Sequence, residues 1–171
     1  MLFNLGKIFI FFFIVVGFAY PVEKRWIKKG QFNDWEVYVK TDNSICYMIS
    51  KPQKMEGAYS TRGRVDAVIA VKNELKNKYY VAFDFGYPFY KNTKVKLTID
   101  QEIAFQIDTF AETAWINSIE YPELNLKIIK EMKKGKVLIA HGKSSRGTVT
   151  KDTYSLIGFT KAFKKVKDAC S

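Results

Sequence analysis

In the segment Lys94 to Asp100 (KVKLTID) every second side chain is apolar: Val95, Leu97 and Ile99 alternate with lysines and Thr98. A period of two places one set of residues on a buried face and the other in water, which is the pattern of a half-buried strand. The same alternation governs much of the chain. Trp35, Val37 and Val39 share a face in Trp35–Val39, and similar short runs cover 45–50, 64–72, 79–85, 102–107, 112–116 and 136–141. These runs are rich in β-branched and aromatic residues and are separated by turn signals such as Gly86-Tyr87-Pro88-Phe89 and Lys91-Asn92-Thr93. They predict an antiparallel, mainly β domain.

Two stretches depart from this period. Residues 122–134 (PELNLKIIKEMKK) carry Leu124, Ile128, Ile129 and Met132 at helical spacing, with Pro122 at the start and Gly135 at the stop. From Ser155 to Cys170, Leu156, Phe159, Phe163, Val166 and Cys170 fall on one stripe in steps of three and four. The expected fold is therefore an antiparallel β-sandwich-like single domain with two α-helices, about 122–134 and 155–169. Neither an internal repeat nor a Pro/Gly/Ser-rich linker divides the chain.

The N-terminus reads as an address. Lys7 is the only charged side chain before Glu23, Ile8 to Ala19 is apolar apart from Gly17, and Gly17-Phe18-Ala19 puts small residues where a signal peptidase reads. This is the layout of a secretory signal peptide over 1–19. The apolar run falls short of the ~20 residues a spanning helix needs. Residues 20–171 have the size of one ordinary domain, and the expected location is the periplasm or the medium, with no transmembrane span once the signal is removed. Cys46 and Cys170 are the two cysteines, an even count that favours a disulfide in an exported protein, the alternatives being two free thiols or a metal pair. His141 is the only histidine, so a metal site is poorly supplied with ligands and none is expected.

The formal charge is +11, yet only four of the 28 basic side chains are arginine. Sequence-reading nucleic-acid sites rely on the planar guanidinium, so a nucleic-acid partner is not expected. Lysines spread along the whole chain imply a solvated basic surface, and at most a weak, salt-sensitive attraction to anionic lipid or acidic polysaccharide.

Candidate chemistry is sparse. Gly142-Lys143-Ser144 suggests a phosphate loop, but the glycine that motif requires five residues earlier is Val137. A hydrolase could draw on His141, Asp152 and Ser144 or Ser145, although no nucleophile elbow is present. Asp84, Asp100, Asp108 and Glu112 occur singly in alternating segments, where a solvated face is the ordinary reading of a carboxylate. Trp26, Trp35, Trp115, Tyr87, Phe89 and Tyr90 read as core and packing residues, any exposed share of them marking a binding patch. Three of the four arginines, Arg62, Arg64 and Arg146, adjoin Gly63 or Gly147. Glycine lets backbone amides and a guanidinium approach one anion, which makes these three the candidate partner contacts. The structural alternative pairs Arg146 with Asp152 across a turn.

The order of these elements is itself distinctive. Asp34-Trp35 opens a strand. Cys46-Tyr47-Met48-Ile49-Ser50-Lys51-Pro52, Arg62-Gly63-Arg64, Gly86-Tyr87-Pro88-Phe89, Ile99-Asp100 with Phe105, and Ala114-Trp115 follow. The chain ends with Gly142-Lys143-Ser144-Ser145-Arg146-Gly147-Thr148, then Asp152-Thr153-Tyr154-Ser155-Leu156-Ile157-Gly158-Phe159-Thr160, and Cys170. This closely resembles the invasion-associated locus B family of exported bacterial proteins, from about Asp34 to Cys170. The resemblance implies a single mainly β domain, secreted or periplasmic, with no catalytic residue or cofactor to carry over. It supports Cys170 as half of a structural disulfide. Longer members have a further cysteine near the position of Lys40; its absence here leaves Cys46–Cys170 as the pair. The expected function is a cell-envelope interaction module that binds an envelope protein or an anionic envelope component. The alternatives are an accessory factor for host-cell adhesion or invasion and a periplasmic hydrolase.

Overall fold

The computed structural model describes residues 26–74, 78–117 and 119–170. The expected signal peptide lies outside the described residues. The elements in chain order are β1 (Trp26–Phe32), β2 (Trp35–Lys40), β3 (Ile45–Ser50), β4 (Lys54–Gly57), β5 (Asp66–Lys72), β6 (Tyr79–Asp84), β7 (Lys94–Ile99), β8 (Ile103–Phe110), β9 (Thr113–Trp115), α1 (Pro122–Lys134), β10 (Val137–Lys143), β11 (Val149–Ser155) and α2 (Phe159–Ala169).

The strands form one antiparallel sheet in the order β1-β2-β3-β5-β6-β9-β8-β7-β10-β11-β4. β8 serves as its corner: Ile103 to Asp108 pair with β7, whereas Thr109 and Phe110 pair with β9. The sheet folds over there, and its two halves meet through their apolar faces. Phe83 on β6 lies against Tyr154 on β11, with ring centroids 6.0 Å apart, and the Trp35 indole N–H donates to the Ser155 carbonyl at 3.0 Å. The mainly β, two-helix domain read from the alternation is the one observed. Trp35, Val37 and Val39 are buried, as are Val95, Leu97 and Ile99.

Three strands escape the alternation reading. β1 and β4 are the sheet's two edges, and their side chains are mostly exposed. β11 is paired on both sides, by β10 and β4, but the residues it turns inward are Thr150, Asp152 and Tyr154, so its buried face is largely polar. The second helix also needs correction. Ser155 is still strand, Leu156 N–H bonds to the Lys136 carbonyl, and the helix begins at Phe159 rather than near 155.

Both helices pack on the strands. α2 covers β2, β1 and β3, with Phe159 edge-on to Trp35 at 4.9 Å. Its C-terminal Cys170 is disulfide-bonded to Cys46 of β3. α1 packs on β6, where Asn125, itself buried, accepts the Val81 N–H at 2.9 Å. That bond satisfies a strand donor beyond the short reach of β9.

Candidate functional site

The motif segments converge at one end of the folded sheet. The loop 58–63 before β5, the turn 86–89 after β6, and the β10–β11 connection 144–148 enclose a polar cleft of about 420 Å³. Arg62 lies at its base. Its guanidinium makes a two-pronged ion pair with Asp152, at 2.7 and 2.8 Å, and also donates to the Phe85 carbonyl at 3.0 and 2.8 Å. The rings of Tyr59 and Tyr87 flank it, each with its centroid 5.0 Å away. Side-chain exposure is 3% for Arg62 and 0% for Asp152. Burial alone pushes the guanidinium toward losing its proton, but Asp152 outweighs that and holds its pKa above the ordinary arginine value. A bidentate, ring-flanked pair is a geometry that only arginine supplies.

This arrangement bears on two expectations. Arg62 does not stand at the surface: its side chain is 3% exposed, and four of its N–H groups are bonded to Asp152 and the Phe85 carbonyl. Asp152 pairs with Arg62, 90 positions away, and not with Arg146.

Three glycines make the convergence possible. Gly63 N–H donates to Gly86 carbonyl at 2.8 Å, and a Cβ on Gly86 would lie 2.6 Å from the Gly63 backbone. Gly86 also has φ +66°, so a side chain there would be doubly unfavourable. Gly142 of β10 lies beneath Phe85 and Tyr87, where a Cβ would overlap the Tyr87 hydroxyl. That hydroxyl bonds Thr150 Oγ1, and burial holds its pKa above the usual tyrosine value.

The far wall is the β10–β11 loop. Ser144 fixes it: its N–H donates to the Thr148 carbonyl at 2.9 Å, and its Oγ accepts the Thr148 N–H at 3.1 Å. Ser145 N–H donates to the Pro88 carbonyl at 2.7 Å, tying this loop to the opposite turn. Ser145 and Arg146 are exposed at the tip. Among the described residues Arg146 has no ion-pair partner, so its charge faces the cleft and solvent uncompensated. The loop 58–61, with Tyr59, Ser60 and Thr61, also lines the cleft and carries no motif of its own. Its one sequence signal was its position immediately before Arg62.

Arg64 lies elsewhere. Gly63 turns the chain, and the Arg64 side chain, 68% exposed, reaches over the outer face of β5 to bond the buried carboxylate of Asp66. It borders a separate groove with Glu36 and the stacked rings of Tyr38 and Tyr47. The three glycine-adjacent arginines therefore do three different things.

The hydrolase constellation is not assembled. Ala140 pairs with Asp152 and His141 with Lys151, so His141 and Asp152 point to opposite faces of the sheet. The four single carboxylates are dispersed: Asp84 accepts the Thr113 hydroxyl, Asp100 accepts the Lys136 and Val137 N–H groups, Asp108 pairs with Lys94, and Glu112 is exposed in the β8–β9 turn. Lys143 ends β10 with its ammonium 5.6 Å from the Tyr90 ring centroid, without a phosphate cradle around it. No group of three or more His, Cys, Asp or Glu side chains with metal-site geometry occurs among the described residues.

Fold and site together define a class: a one-domain antiparallel β protein with a disulfide-tied terminal helix and a polar cleft built over a buried arginine–aspartate pair. The family model described as "Invasion associated locus B (IalB) protein" matches residues 36–167, and the chain belongs to that family. No curated protein and no solved structure matches it. No helix among the described residues is long and apolar enough to cross a membrane.

Proposed function

We propose that this protein is an exported interaction module of the cell envelope, secreted or periplasmic, that binds an anionic group of an envelope component in the cleft beside Arg146 and does not catalyse a reaction. The observation supporting this is the convergence of three distant motif segments on a cleft in which one arginine is spent on scaffolding and the other has no ion-pair partner among the described residues. Ser60, Thr61, Ser145 and Thr148 line the same cleft, and their hydroxyl groups suit a carboxylate or phosphate. Arg62 and Asp152 then act as foundation, holding the loops in place without touching the ligand.

The test is in-cell photocrosslinking from position 145, followed by mass spectrometry of the envelope fractions, with and without Arg146→Glu. A defined partner that is lost with the charge reversal supports the reading. An unchanged set of partners in the variant removes it. The charge-assisted contact predicts a loss of roughly 10- to 100-fold in affinity for that partner.

The family description favours a second reading, an accessory factor for invasion. Fractionation addresses it directly: confinement to the periplasm, with none on the surface or in the medium, excludes contact with a host cell.

A further inference from the structure

α1 and α2 together present eight lysines against three carboxylates, and all eight are exposed. Much of the chain's net charge of +11 is therefore concentrated on one helical layer. Between the helices a groove of about 340 Å³ opens against β6. Its walls are apolar: Tyr79, Leu126, Ile129 and Phe163. Its rim carries Lys130, Lys133 and Lys167, and among the described residues no carboxylate lines it.

The lysines of this groove differ from an ordinary solvated face. Lys134 is neutralised by Glu131 at 3.2 Å, but among the described residues no carboxylate pairs with Lys130, Lys133 or Lys167. The Lys133 ammonium is held 4.1 Å from the Phe163 ring centroid, and Phe163 in turn packs on Tyr79 at 5.0 Å. Burial, together with the neighbouring Lys167, keeps the Lys133 pKa below the ordinary lysine value. Two like charges beside a partly dry apolar wall are stabilised by an anion between them. Leu126, 41% exposed, adds an uncovered apolar side chain at the edge.

We propose that the α1–α2 face docks on an anionic lipid surface, with a headgroup phosphate taken between Lys133 and Lys167. Charge alone would suit any polyanion. The apolar walls favour a lipid over an acidic polysaccharide, because a headgroup at a bilayer brings apolar glycerol and acyl segments with it. This face is distinct from the Arg146 cleft and stands whether or not that cleft binds an anion.

The test is co-sedimentation of the purified, disulfide-intact protein with vesicles of phosphatidylcholine containing phosphatidylglycerol, against vesicles of phosphatidylcholine alone, with soluble alginate as the polysaccharide arm. Three variants are compared: a groove triple (Lys130→Gln, Lys133→Gln, Lys167→Gln), a control triple of equal charge change (Lys29→Gln, Lys91→Gln, Lys96→Gln), and Leu126→Ser. A basic side chain near an anionic bilayer contributes roughly fivefold in affinity, so the groove triple should lose on the order of a hundredfold. The control triple should lose far less. Leu126→Ser should weaken vesicle binding while leaving any alginate binding unchanged. Equal losses in both triples, equal binding to neutral vesicles, or alginate binding that matches vesicle binding and ignores Leu126 would each overturn the proposal. Should the groove triple fail to fold, the Leu126→Ser comparison still decides it.

Discussion

At the scale of single residues, the Arg62–Asp152 pair governs the site. Arg62→Ala strands a buried carboxylate and should cost about 3–5 kcal/mol, read from urea unfolding. Arg62→Lys should recover only part of that, since one ammonium cannot reproduce a fork bonded to both carboxylate oxygens and a carbonyl. Arg146→Ala should change stability by less than about 0.5 kcal/mol, because the side chain is exposed and unpaired. His141 gives a second prediction. Burial first, and then Lys151 and Lys96, lower its pKa from 6.5. Above that value the histidine is neutral in both folded and unfolded chains. As pH falls below it, the unfolded chain takes up a proton that the folded one resists, so stability declines. In His141→Gln the part of that slope due to this residue should vanish in melts taken across the same range. The motifs marked Arg62, Arg146 and Asp152 in the sequence, but not who pairs with whom. Spacing favours the near neighbour, whereas the fold selected an arginine from across the sheet.

At the scale of elements, apolar alternation was readable wherever a strand buries hydrocarbon. It was silent for β11, whose inward Thr150 and Asp152 serve Tyr87 and Arg62, and for the edge strands, which bury little. α2 was readable as a stripe, but its start was not, because Ser155 and Leu156 are buried as strand and turn residues that happen to match the helical spacing. Its end is tied by the disulfide across 124 positions. The chain-entropy model gives roughly 4–5 kcal/mol for a loop of that length, as an upper figure. Cys170→Ser should lower stability by up to that amount, and amide hydrogen exchange should quicken in α2 well before it does in β5 or β6.

At the scale of the whole molecule, a sheet that ends, among the described residues, in the edge strands β1 and β4 must avoid pairing with its neighbours. Lys28 and Lys29 on β1 and Lys54 on β4 place charge on those edges. Replacing Lys28 and Lys29 by valine should promote self-association, measured as a rise in light scattering with concentration, with little change in the monomer's melting temperature. The folded-over sheet also explains why the cleft could not be assembled from the sequence: its loops are brought together by the β8 corner, a long-range feature with no local signature. Charge was visible as a total, but its concentration on two helices depends on which of their faces the core takes up.

The tie between Cys46 and Cys170 has a consequence in time. A chain made in a reducing cytosol lacks that bond, so its last helix is held by packing alone until the protein meets an oxidant. If the chain is exported as proposed, the precursor stays easier to unravel during passage, and the lysine-bearing helix locks onto its sheet only on the far side. The basic face would then become rigid in the compartment where an anionic membrane awaits it, and not in the one where nucleic acid could compete.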